Sequence, residues 1–389
     1  MEGELVVNHG ETRVSPVESS ELLLSCMIAI VAVLMLSTSV GPAIVKPLLL
    51  DGSLISNGRF AFVFDAYETV GDDEVPSVVG IGSSILLAAM NGTCMQDESN
   101  VANARFYNFA MPGDKPYTEM VQIPMLIEAN PDVVMLEVGP NGLYGWNENH
   151  EPRGNSDYNQ FRFRLMSMGA SPQHIGDWYD VLDQRDRGFI ETSILEKADA
   201  WGEYVPEAIE EHLQREFTGI SSANYDDNSY RNVPHKSSEE WTGYLSEPNY
   251  HISRYEGKSS EFIQDDLDRR MPDMIAQGYY SPQANGTQNH RALDYIIHEL
   301  LNASIDVVLI GLPHHPWVNG YLESGQLDNV NDTFLKFENL EGVVIHQMYW
   351  DDWPIDAFDD RLHMDGDGRA LFCERITPIV DMVLEKETR

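Results

Sequence analysis

The stretch Ser77-Val78-Val79-Gly80-Ile81-Gly82-Ser83-Ser84-Ile85-Leu86-Leu87-Ala88-Ala89-Met90 decides the fold. A short apolar run ends in Gly82-Ser83-Ser84, and an apolar helical pattern starts at once. The reading is strand, tight turn, helix. Three further runs have the same character: PDVVMLEV at 131–138, IDVVLI at 305–310 and GVVIH at 342–346. Strands that are apolar almost throughout are buried on both faces, the condition of a parallel sheet. Helical patterns at 291–302 (RALDYIIHELLN) and 369–386 supply the crossovers that parallel strands need. The predicted class is α/β, a parallel sheet with helices on both faces. FAFVF at 60–64 is a possible additional strand.

Outward from this core lie two different regions. Residues 22–40 read LLLSCMIAIVAVLMLSTSV without a charge, and 41–45 continue the run. At about 1.5 Å per residue that length crosses a hydrocarbon core of about 30 Å. The expectation is a tail at 1–21, a transmembrane anchor at 22–45, a juxtamembrane segment at 46–76 and a catalytic domain at 77–389. A cleaved signal peptide is the rival. The tail argues against it, carrying Glu2, Glu4, Glu11, Glu18 and Glu21 in place of a basic start. Lys and Arg give almost no vote on orientation. The short tail and the Asn-X-Ser/Thr sequons at Asn91, Asn285, Asn302 and Asn331 favour a domain outside the membrane. The second region, about 145–290, is polar and rich in Tyr, Trp, Asp and Glu. It reads as an insertion or cap on the sheet, with a helical piece at 198–217 and a loop-like middle at 219–258.

Charge excludes one class of partner. Asp and Glu number 63 against 25 Lys and Arg, a net charge of −38. Nucleic-acid binding rests on Lys and Arg neutralising phosphates, so no nucleic-acid partner is expected. There are three cysteines. Cys26 falls in the apolar run. Cys94 and Cys373 sit on predicted helices beside the core, where a bridge is open to them. The reading favours two buried free thiols.

Candidate site residues fall at strand ends, where ligands bind in doubly wound sheets. Ser84 stands at a strand-to-helix turn, where free N–H groups favour negative charge. Read alone, Gly82-Ser83-Ser84 is equally a helix cap. Gly113 can offer a backbone N–H, or simply make a Pro-Gly turn. Asn141, after Gly139-Pro140, can donate its amide to an oxyanion, or sit in a turn. Asp360 precedes His363 by three residues, a spacing that lets a carboxylate orient an imidazole whose other nitrogen takes a proton. The crowd of Asp359, Asp360, Asp365 and Asp367 also raises a solvated acidic loop or a calcium loop, though the helix-loop-helix calcium spacing is missing. His314 and His315 invite a metal reading. Adjacent histidines in an extended segment point to opposite sides, so no metal is assigned to them.

The order and spacing of these residues resemble the SGNH (GDSL-like) superfamily of ester hydrolases and acyltransferases. Gly82-Ser83-Ser84, Gly113, Gly139-Pro140-Asn141 and Asp360-Arg361-Leu362-His363 stand in the family's order, and Gly368 fits its closing block. The resemblance runs from about 77 to 385, with 145–290 unmatched. The overall plan looks like the membrane-tethered branch related to alginate O-acetyltransferases and teichoic-acid D-alanylation proteins. It implies a three-layer flavodoxin-like sandwich with Ser84 as nucleophile, His363 as base and Asp360 orienting it. Gly113 and Asn141 would serve the oxyanion, with no cofactor. The implied substrate is an acyl ester or acylated carbohydrate, and the bilayer is a partner through the N-terminal helix. Ser83 stands where the family carries Asp, which leaves Ser83 and Ser84 both open as nucleophile; the motif register favours Ser84. Gly142 stands where many members carry Asp. A surface protein that uses the same scaffold to bind glycan or a partner, without catalysis, is the alternative.

Overall fold

The computed structural model describes residues 19–35, 63, 66–67, 70, 75–111, 113–143, 178–182, 187, 254–281 and 287–387. Five strands form one sheet: β1 (Ser77–Ile81), β2 (Arg105–Asn108), β3 (Val133–Glu137), β4 (Asp306–Gly311) and β5 (Val343–Gln347). Their order is β2-β1-β3-β4-β5, and every pairing is parallel. The predicted α/β class with a parallel sheet therefore holds. Four strands fall where the apolar runs predicted them. β2 was not anticipated, and Val63, the one described residue of the run at 60–64, is helical rather than extended.

The alternation of side chains across each strand builds two cores. Val79, Ile81, Tyr107, Val134, Leu136, Val307 and Leu309 face one side. Val78, Phe106, Val133, Met135, Val308 and Ile310 face the other. The first face is covered by helices Ile123–Ala129, Ser260–Ala276, Gln288–Asn302 and Asp328–Phe337. Gln288–Asn302 shows how the sequence sets this. Thr287 caps it by accepting from the His290 N–H. Ala292, Leu293, Ile296, Ile297 and Leu300 then recur at helical spacing and are all buried. The second face is covered by Ser84–Ala89, Gly92–Glu98 and the last helix, Gly366–Glu387.

Cys94 and Cys373 form a disulfide between those last two helices, with Cα atoms 6.2 Å apart. The two free thiols expected from the sequence are thereby corrected. The physical reason is tertiary: Gly92–Glu98 and Gly366–Glu387 pack against each other on one face of the sheet. That brings the two Cα atoms within bridging reach.

At the N-terminus, Ser19–Met35 is a 17-residue helix whose described apolar side chains, Leu22 to Met35, are exposed. Among the described residues no helix is long and apolar enough to cross a membrane. Residues 36–45 of the expected 22–45 anchor lie outside the described residues, as do the tail 1–18 and most of 46–76. Cys26 is a free thiol on that exposed helix. Of the expected insertion at 145–290, the described parts are 178–182, 187, 254–281 and 287–290. The helical piece at 198–217 lies outside them, and so does most of the loop at 219–258.

The disulfide yields a direct expectation. Cys94→Ser with Cys373→Ser removes a cross-link that closes a very long loop, so urea unfolding should show a loss of about 2–5 kcal/mol. An unchanged urea midpoint would mean that the bridge contributes nothing.

Candidate active site

β1 ends at Ile81, and the chain turns through Gly82 and Ser83 into the helix Ser84–Ala89. Ser83 is the N-cap; its Oγ accepts from the Ile85 N–H. Ser84 is the first helical residue, so its side chain stands at the mouth of the turn. Its Oγ lies 2.9 Å from His363 Nε2. His363 Nδ1 lies 3.0 Å from Asp360 Oδ1. Three residues predicted from spacing thus form one continuous hydrogen-bonded chain.

The loop that carries the histidine is held at several points. Phe358 and Met364 form an antiparallel bridge, and the Asp359 N–H donates to the His363 carbonyl at 2.8 Å. Asp360 Oδ1 also accepts the N–H groups of Leu362 and His363, at 2.8 and 2.9 Å. Burial pushes the Asp360 carboxyl upward, but these N–H donors and the His363 ring outweigh it and hold the group well below the usual carboxylate range. Asp365 Oδ1 accepts the Gly368 N–H at 2.9 Å and so starts the last helix. At Gly368 an added Cβ would sit 2.1 Å from the Ala357 carbonyl oxygen. Only glycine lets that helix begin so close beneath the loop. Asp360 and Asp365, two members of the acidic crowd, are therefore committed to protein hydrogen bonds.

The remaining predicted residues lie around this chain. The Met111 N–H donates to the Gly82 carbonyl at 2.9 Å, so the loop after β2 is fastened to the Gly82-Ser83-Ser84 turn. Gly113 sits on that loop with φ of 73° and is exposed. Asp114 anchors the loop from below, accepting Thr118 Oγ1 at 2.5 Å and Gln122 Nε2 at 3.2 Å. Gly139 follows β3, and Asn141 lies in the single turn Pro140–Leu143 at the same end of the sheet. The Asn141 side chain lies outside what the structure describes. The neighbouring Val138 carbonyl accepts the Tyr349 hydroxyl at 2.6 Å.

Ser83 and Ser84 are separated by their partners. Ser83 Oγ reaches Glu137 Oε2 at 2.9 Å and is buried, whereas Ser84 Oγ reaches the imidazole. Glu137, the last residue of β3, was not anticipated. The available signal was a lone carboxylate closing an otherwise apolar strand.

His314 and His315 point into different aromatic shells, as their adjacency predicts. His314 packs on Tyr280 and Tyr349. His315 packs on Tyr255, Trp317 and Phe358. Among the described residues no group of three or more His, Cys, Asp or Glu is placed to hold a metal.

No protein-family model matches this chain, and no curated protein matches it. The chemistry open to the site therefore follows from its geometry. A hydroxyl on one imidazole nitrogen, with a carboxylate on the other, can lose its proton as the oxygen attacks an electrophilic carbon.

Burial, with the Arg361 charge added, pulls His314 down to about 3. Burial pulls His315 to about 4 against the upward pull of Asp360. An unfolded histidine titrates near 6.5, so the unfolded chain takes these protons first as the pH falls. The stability tied to each ring is complete above about pH 6.5. It is lost on acidification towards pH 4 and 3, at up to about 1.4 kcal/mol per pH unit per ring. His314→Phe should flatten the fall of melting temperature across that window. Coincident curves for variant and wild type would show that His314 does not fold neutral.

Proposed function

We propose that this protein is a membrane-anchored serine esterase or O-acyltransferase of the SGNH type. It would remove or add acyl groups on an extracytoplasmic carbohydrate. The observation that carries the reading is the Ser84–His363–Asp360 chain, with contacts of 2.9 and 3.0 Å. The strand order supports it, because 2-1-3-4-5 is the flavodoxin-like order. Helices on both faces of the sheet also support the three-layer form of that reading.

His363 Nε2 takes the Ser84 proton as Oγ bonds to the acyl carbon, and the carbonyl electron pair moves onto its oxygen. By the family resemblance, the N–H groups of Ser84 and Gly113 and the Asn141 amide would receive that oxyanion. The intermediate collapses, the ester C–O bond breaks, and the leaving alkoxide takes the proton from Nε2. Water, or a sugar hydroxyl, then repeats the sequence on the acyl-enzyme and frees Oγ. The residues of the site serve hydrolysis and transfer equally; access of water decides between them.

Two features support the cellular placement. The run 22–45 is long and apolar enough in sequence to anchor the chain. The Cys94–Cys373 disulfide suits an oxidising compartment, hence a catalytic domain outside the cytoplasm.

The test is to treat full-length protein in detergent with a fluorophosphonate probe and a short-chain aryl ester. Wild type should label and turn over. Ser84→Ala should lose labelling and at least about 1,000-fold of the turnover, while Ser83→Ala still labels. A folded wild type that neither labels nor turns over would favour a non-catalytic scaffold that binds glycan or a partner. Labelling lost in Ser83→Ala but kept in Ser84→Ala would move the nucleophile by one residue.

A further inference from the structure

Glu137 is a buried carboxylate that the acyl-transfer chemistry of Ser84 and His363 does not use. It ends β3, beside β1, and lies directly under the nucleophile turn. Its Oε2 accepts the Ser83 N–H at 2.7 Å, the Ser83 hydroxyl at 2.9 Å and the Leu86 N–H at 3.2 Å. Its Oε1 lies 3.0 Å from the same hydroxyl. One carboxylate thus takes donors on both sides of Ser84.

The approach is close enough to dictate the preceding residue. A Cβ at Gly82 would sit 2.6 Å from Glu137 Cβ and 2.7 Å from Oε2. Gly82, Ser83 and Glu137 are therefore one unit: the glycine admits the carboxylate, and the serine is gripped by it. The Ile85 N–H is taken by Ser83 Oγ. The N–H groups of residues 83, 85 and 86 are all claimed by this unit, and the Ser84 N–H is not among them. That group is left for a ligand oxygen.

The second link is electrostatic. Burial pushes the Glu137 carboxyl up from its ordinary value; the Ser83 and Leu86 donors pull it back, and so does the His363 charge. An ionised Glu137 attracts positive charge on the His363 ring. In the proposed transfer, positive charge develops on His363 as the Ser84 proton moves onto it. In its ionised form Glu137 would therefore interact more strongly with the transition state than with the resting enzyme, which is the condition for raising rate rather than affinity.

We propose that Glu137 is a positioning residue for Ser84. It fixes the Gly82-Ser83-Ser84 turn through Ser83, keeps the Ser84 N–H free, and favours the cation that His363 becomes. This inference rests on the reading of Ser84 as nucleophile.

The experiment compares kcat and KM for an aryl ester, and the rate of fluorophosphonate labelling, in full-length wild type, Glu137→Gln, Ser83→Ala and the double variant. Glu137→Gln keeps the shape but loses the charge and one acceptor. Its kcat and labelling rate should fall roughly 10- to 100-fold, the scale expected when a reacting group is displaced by about an ångström, with KM unchanged. Ser83→Ala should fall less, and the double variant no further than Glu137→Gln alone, because both act through one contact. Should Glu137→Gln fail to fold, Ser83→Ala reads the same link, since it spares the carboxylate and both N–H bonds. A lowered kcat at constant KM then supports the proposal. A full kcat in the folded variants, losses that multiply in the double variant, or a change confined to KM overturns it and leaves the esterase reading standing. An inert wild type overturns both.

Discussion

The hydrogen bond between Ser84 and His363 joins residues 279 positions apart in the chain. Nothing local can hold such a contact at 2.9 Å, so the rest of the architecture serves to make it. β1 delivers the serine from one side of the sheet, and the loop after β5 delivers the histidine over its carboxyl edge. The Cys94–Cys373 bridge spans the same 279 residues. Cys94 lies ten residues beyond Ser84, on the second helix after it, and Cys373 ten residues beyond His363, on the helix that follows its loop. The covalent tie thus runs parallel to the polar contact, one face of the sheet below it. A parallel sheet suits such a long-range contact, because its strands are registered to one another by backbone bonds and all their ends of one kind lie on one edge.

Around that contact the protein arranges charge sparingly. The chain carries a net charge of −38, yet it places Asp360 and Glu137 in the interior near a single imidazole. Each is supplied with donors in place of the water it has lost. Burial pushes both carboxyls up; at Asp360 the His363 ring and the loop N–H groups outweigh it, whereas at Glu137 the donors of the neighbouring turn only reduce a rise that remains. The other buried histidines, His314 and His315, are treated in the opposite way. They sit among rings and stay neutral. The same residue type thus faces a serine hydroxyl and a carboxylate at one position and aromatic rings at two others.

Much of this was legible in the sequence, for reasons that can be named. β1, β3 and β4 are buried almost throughout and β5 is half-buried along its length, and continuous apolar runs betray all four. β2 is four residues long and reads Arg-Phe-Tyr-Asn. Its last residue is buried because the Asn108 amide donates to the carbonyls of Leu87 and Met90, a partnership with no sequence period. Asp360 and His363 were legible because three residues of one loop suffice to orient a ring. Ser84 was legible because the turn that presents it is local. Glu137 was not, since its meaning lies in the strand beside it and in the missing side chain of Gly82. The cysteine pairing was hidden for the same reason: helix packing, not spacing, sets the distance between two residues so far apart.

That long separation also orders events during synthesis. At about 5–20 residues per second, His363 emerges roughly 15–60 s after Ser84. Through that interval the ribosome-bound chain holds a serine with no proton acceptor and a cysteine without its partner in the bridge. β1, β2 and β3 can assemble early, but the sheet still lacks β4 and β5. Only the final stretch brings the histidine, then the second cysteine, in that order. The Ser84–His363 contact therefore forms only after residue 363 has been made, and a product that stops short of it holds the serine without its imidazole.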